Sequence, residues 1–177
     1  PGLVNRINGD LANDLGNLVY RVLNMSQKYF QGIVRFKDPG IPPQEFLCFF
    51  QGNKLLNEYA AHMDDGKFSI ALDKVWDLIG AMNKYIEDVK PWTLWKEKRL
   101  DELESFLWSL SEAIRVVAVL IFPFMPNTAQ SILRQLGRKS ESKEISLNNT
   151  EAVNAYWGKG DFVISKEKPL FPRIDIE

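Results

Sequence analysis

Two groups of side chains in this sequence have the types and spacing to do chemistry, and in both the chemistry is recognition, not bond making. The first is Asn13, Asn17 and Arg21, at i, i+4 and i+8. In an α-helix each step of four residues advances only about 40° beyond a full turn, so three such side chains form a narrow row about 12 Å long. An asparagine amide offers two donors and an acceptor, and a guanidinium offers five donors in a planar fork. A row of that kind matches the Watson–Crick edges of unstacked bases and can stack on them. Asp10, Asn24 and Lys28 extend the same face. The competing reading is a plain solvated helix face, which composition alone favours. Asn13, Asn17 and Asn24 weigh against it, because each costs about half a kcal/mol relative to alanine inside a helix.

The second group is Pro91-Trp92. The proline fixes a corner, and the indole after it can be held out as a flat platform. Stacking of a base on an aromatic ring is worth about 1–3 kcal/mol. The alternative is an indole folded back as a core plug, the ordinary role of a tryptophan. Trp76, Trp95, Trp108 and Trp157 are read as packing residues.

No enzymatic constellation accompanies these groups. There is no phosphate-cradling glycine loop and no set of paired metal ligands. Cys48 and His62 are each the only residue of their kind, which rules out a zinc site built from His and Cys. A lone cysteine also forms no intrachain disulfide, as suits a reducing compartment. The acidic residues fall on helix faces among lysines, where they read as solvated surface. No catalytic, cofactor-binding or metal-binding residue is assigned to this chain.

Three helical stripes must position the two groups. Leu11, Leu15, Leu18, Val22, Met25 and Tyr29 form the first, and Leu72, Val75, Ile79, Met82, Ile86 and Val89 the second. The third is Leu100, Leu103, Leu107, Leu110, Ile114, Val117 and Ile121. Steps of three and four put each stripe on one helix face, and three such faces bury each other best in an antiparallel bundle. The Asn-Asn-Arg row lies roughly 120° from the centre of the first stripe and faces outward. Asp38 to Pro43 is a turn cluster, and Gln44 to Met63 predicts another helix. Asp65 or Ser69 is placed to cap the helix that follows. Pro91 ends the second long helix and drives Lys90 out of helical geometry. Pro123 and Pro126 end the third. Pro126 opens a short helix through Leu133, with Gly137 as its stop. A polar loop follows from Arg138, then a short helix over 150–156 and an extended tail from Phe162 to Ile174, where Pro169 and Pro172 forbid helix. The expected fold is therefore all-α: an antiparallel bundle of about five to six helices over 1–137, with loop, short helix and extended tail over 138–177.

With 177 residues, 45% of them hydrophobic and 25% charged, the composition is that of one globular domain or slightly more. No apolar run approaches the roughly 20 residues of a membrane span, and no basic, apolar leader opens the chain. A cytoplasmic location is expected. The chain starts at Pro1 without an initiator Met and is expected to be part of something larger. A net charge of −1 lacks the basic excess of a protein that grips a duplex by its phosphates. Nucleic-acid contact here has to come from a local patch, from stacking and from base-edge hydrogen bonds.

Several stretches together resemble a known family. Residues 6–18, Arg-Ile-Asn-Gly-Asp-Leu-Ala-Asn-Asp-Leu-Gly-Asn-Leu, are similar to the helix that opens the anticodon-binding domain of methionyl-tRNA synthetases. Tyr85-Ile86 leading to Pro91-Trp92 resembles the same family, as do Pro123-Phe124-Met125-Pro126-Asn127-Thr128-Ala129 leading to Gln135-Leu136-Gly137, and Pro169-Leu170-Phe171-Pro172-Arg173-Ile174. Pro-Phe-Met-Pro is shared with other class I synthetases, but four pieces in order, with the Asn-Asn-Arg row, are specific. The resemblance covers nearly the whole chain.

It implies a helical bundle that grips the CAU anticodon loop of tRNA-Met. By that analogy Trp92 stacks on an anticodon base and Pro91 shapes the corner. Asn13, Asn17 and Arg21 hydrogen-bond the splayed bases, chiefly the first. Catalysis is implied to lie in a separate Rossmann-type domain, whose His-Ile-Gly-His-like and Lys-Met-Ser-Lys-Ser-like motifs are missing here. ATP with Mg2+, and zinc as an option, belong to that parent enzyme; no cofactor is expected in this chain. The implied partners are the tRNA and the missing catalytic domain, and no membrane. One departure is Lys90, where the family often has a small residue before Pro-Trp. Two other readings stay open: the anticodon domain of an isoleucyl, valyl, leucyl or cysteinyl enzyme, which loop preference distinguishes, and a protein-binding helical module, which predicts an exposed apolar groove and no RNA affinity.

Overall fold

Prolines and glycines divide the chain, and helices fill the spaces between them. In the computed structural model, which describes residues 7–35, 54–138, 160–165, 167 and 170–171, the first helix is a π-helix over Ile7–Gly16 that continues as α1, Asn17–Phe30. Then come β1 (Ile33–Val34), α2 (Lys54–Asp64), α3 (Phe68–Val89), α4 (Pro91–Lys96), α5 (Leu100–Ile121), α6 (Pro126–Gln135) and β2 (Phe162–Val163). The fold is an all-α bundle with one very small sheet. The turn cluster 38–43, the first part of the helix expected over 44–63 and the helix expected over 150–156 lie outside the described residues, as does Trp157.

The stripes turn inward as their spacing requires. Leu15, Leu18 and Val22 of the first, and Val75, Ile79, Met82 and Ile86 of the second, are buried. α5 differs from expectation, because every residue from Phe106 to Ile121 is buried. It is a central helix covered on all sides, with α1, α3, α4 and α6 in contact with it. Several of its buried polar residues are partnered within the helix, while the Glu104 carboxylate accepts from the Arg35 backbone N–H at 3.2 Å. The Ser109 and Ser111 hydroxyls donate to the Ser105 and Leu107 carbonyls at 2.9 and 2.8 Å. The fully buried Arg115 donates from Nε to both Glu112 carboxylate oxygens, at 3.1 and 3.0 Å, and from Nη2 at 2.8 Å.

Ring contacts give the helix directions. Phe68 meets Phe124 at 6.3 Å and Tyr85 meets Phe106 at 5.1 Å, so α3 and α5 run antiparallel. Asn83 of α3 donates to the Asp14 carbonyl at 3.4 Å, and Glu87 pairs with Arg21. The first helix therefore runs the same way as α3. The Tyr59 hydroxyl ties α2 to the Leu120 carbonyl at 2.7 Å. Neither Asp65 nor Ser69 caps α3, which carries no side-chain cap. The helix starts at Phe68, so Ser69 is already inside its first turn, and the Asp65 carboxylate takes the Lys67 ammonium at 2.8 Å instead.

The described tail residues pack on the bundle. β2 pairs antiparallel with β1, Ile33 with Val163 and Val34 with Phe162, and Phe162 is fully buried. Gly137, at φ +77°, lies so close that a Cβ there would collide with the Val163 carbonyl oxygen. A Cβ on Gly16 would meet the Phe171 ring at 3.3 Å and the Leu11 carbonyl at 3.1 Å. The tail thus reaches back to the helix that carries the polar row.

Candidate nucleic-acid interface

On the first helix, Asn13 and Asn17 are exposed and Arg21 is half-buried. Asn17 and Arg21 belong to α1 and share a face as the α-helical repeat dictates. Asn13 lies in the π-helical segment, whose i→i+5 bonding puts more than four residues in a turn. Four residues there fall short of a full turn, so the three side chains are not one strict α-helical row.

Arg21 also has a partner that sequence reasoning missed. Its Nη2 lies 2.6 Å from Glu87 Oε1 on α3. The arginine side chain keeps 26% of its exposure and the glutamate 60%, so the pair sits at the surface of the α1–α3 seam. Glu87 carries no signal on its own, being one of many acids on a helix face. Only the tertiary packing of α1 beside α3 selects it.

Glu87 stands five residues before Trp92, so the same pair joins the α1 face to the corner between α3 and α4. Lys90 makes that corner. Its backbone is left-handed, φ 51° and ψ 65°, and its N–H closes α3 on the Ile86 carbonyl. Pro91 follows as the first residue of α4, where its missing N–H costs nothing. The Thr93 N–H reaches back to the Lys90 carbonyl at 2.8 Å. Pro91 is buried, whereas Trp92 keeps 41% of its surface exposed. The indole is held outward and is not a core plug. Left-handed geometry costs a non-glycine residue about 1–2 kcal/mol, which gives the departure at Lys90 a physical meaning: a glycine would turn this corner with less strain.

Behind the corner, Tyr85 packs on Phe106 at 5.1 Å, and burial pushes its phenol up to about 12. Trp108 is a packing residue as expected, buried at 6% exposure with its indole N–H on the Gly160 carbonyl. Trp76 is half-buried. Trp95 departs from the expected packing role, for it is 41% exposed and lies against Tyr29, centroids 4.9 Å apart and planes 28° from parallel. A helix as short as Pro91–Lys96 buries only one side. Pro91 and Leu94 take that side, leaving Trp92 and Trp95, three residues apart, on the other. That spacing was visible in the sequence.

Comparison with known proteins bears on what this surface recognises. Residues 43–174 match a family model described as the anticodon binding domain of methionyl tRNA ligase. The methionine–tRNA ligase of Listeria innocua is 38% identical over 98% of this chain, which corresponds to 26% of that protein. That of Bacillus subtilis is 36% identical over 99% of the chain and 26% of its own length. The chain thus spans about a quarter of the length of these curated relatives. Among solved structures, the apo methionyl-tRNA synthetase of Mycobacterium tuberculosis superposes with a TM-score of 0.81 at 31% identity, over 99% of this chain and 34% of that one.

Proposed function

We propose, because this chain belongs to the family of anticodon-binding domains of methionyl-tRNA ligases, that it reads the CAU anticodon loop of tRNA-Met on behalf of a ligase whose catalytic domain lies outside it. The observation that carries this reading is the half-exposed Trp92 on a corner locked by Lys90 and Pro91, joined to the α1 face by the Arg21–Glu87 pair. In this reading one anticodon base stacks on Trp92 and Pro91 fixes the angle of the indole. Asn13, Asn17 and Arg21 offer donors and acceptors to the edges of splayed bases, chiefly the first. Hydrogen-bond readout needs a pre-aimed donor, and Glu87 holds the Arg21 fork against a fixed helix before RNA arrives.

Attachment of methionine, with ATP and Mg2+ and zinc as an option, belongs to the parent enzyme. This chain contributes recognition and is not itself a catalyst. No helix among the described residues is long and apolar enough to cross a membrane, and the proposed place of action is the cytoplasm.

The test is binding of a short anticodon stem-loop RNA, followed by tryptophan fluorescence at low salt. A CAU loop should bind more tightly than one altered at its first anticodon base. Trp92→Ala should weaken CAU binding by about 1–3 kcal/mol with no loss of thermal stability. Equal binding of both loops, or an unchanged affinity in Trp92→Ala, would sink the reading.

A further inference from the structure

We infer that the Tyr29–Trp95 stack is a second base platform, which takes an unpaired loop nucleotide flanking the anticodon while nearby lysines hold the RNA backbone. This rests on the anticodon reading and extends it. Trp92 and Trp95 project from α4 three residues apart, about 60° from each other around the helix axis, and both are 41% exposed. Trp95 already has Tyr29 stacked at 4.9 Å and 28°, and the Lys28 ammonium stands 5.3 Å from the Tyr29 centroid. A flat aromatic pair with open surface and a cation at its edge is suited to a nucleobase, since every base has a π face whatever its sequence.

Charge points the same way. Among the described residues, most lysines and arginines elsewhere, Lys84 being an exception, are committed to carboxylates or other contacts, as Lys54 and Lys74 are to Glu58, Lys67 to Asp65 and Arg99 to Glu97 and Glu102. Lys90, Lys96 and Lys98 are exposed and have no acidic partner among the described residues. They bracket α4, and Lys28 reaches its edge through Tyr29. Of the acids nearby, Glu87 is taken by Arg21, Glu97 and Glu102 by Arg99, and Asp101 has a contact of its own, leaving Asp88. A protein of net charge −1 therefore gathers uncommitted cations around its two outward indoles. This is the local patch that binding a polyanion requires.

The experiment measures affinities of the unaltered chain, Trp92→Ala and Trp95→Ala for two RNAs. One is the CAU stem-loop, and the other has the same anticodon but abasic sites at the loop nucleotides flanking it. Trp95→Ala should weaken binding of the intact loop about 5- to 150-fold, and of the abasic loop by no more than twofold. Trp95→Phe, which keeps a ring against Tyr29, should fall between, and controls for any loss of folding in the alanine variant. Equal losses on both RNAs, or none on the intact loop while Trp92→Ala still weakens it, would overturn the second platform and leave the anticodon reading standing. If Trp92→Ala is silent as well, both readings fall together.

Discussion

Two arginine–glutamate pairs in this molecule are nearly alike in chemistry and opposite in setting. Arg115 and Glu112 lie within one helix turn of α5, with side chains 0% and 4% exposed. Arg21 and Glu87 join two helices at the surface, at 26% and 60%. The first holds charges that cannot reach water, so its members depend on each other and on the groups around them. The second holds a guanidinium that water and ligand can still approach. A buried pair is a constraint on the fold, and an exposed one is a means of aiming a side chain.

Breaking the buried pair should have the largest effect. Glu112→Ala takes away the carboxylate on which the Arg115 guanidinium converges and should destabilise the chain by about 3–5 kcal/mol, read from denaturant unfolding. Arg115→Met combined with Glu112→Leu should recover most of that loss, since a well-packed apolar replacement is often neutral or better. No recovery would mean that the pair also specifies the packing of α5.

The exposed pair gives the opposite expectation. Glu87→Gln should change stability by less than about 1 kcal/mol, so a large shift in its unfolding midpoint would erase the distinction. The smallest effect sharpens the comparison at the corner itself. Lys90→Gly relieves a left-handed strain of about 1–2 kcal/mol against an entropic cost of about 0.5–1. A gain in stability of about 0.5–1 kcal/mol should result, and a loss would show that the lysine side chain supports the corner.

The sequence reads well where local rules dominate. Apolar steps of three and four located α1, α3 and α5, and prolines marked the corners at Lys90 and after Ile121. Spacing also placed Asn17 and Arg21 on one outward face. It failed where a second element decides the outcome. That α5 is covered all round follows from the several elements packed around it, and its stripe alone describes only one of its contacts. The π-helical turn under Asn13 has no pattern distinct from an α-helical one. Glu87 gains its meaning from α1 lying alongside α3. The exposure of Trp95 was deducible from the length of α4, but the rule that a tryptophan usually packs outweighed it.

The pairing of β1 with β2 has a consequence for how the chain is made. Ile33 and Val163 are neighbours in space but are separated by most of the sequence, and closing so long a loop is entropically slow. During synthesis from the N-terminus, the strand that follows the first helix waits for its partner until the chain has been translated as far as Val163. The surface proposed to meet RNA is begun first and braced last.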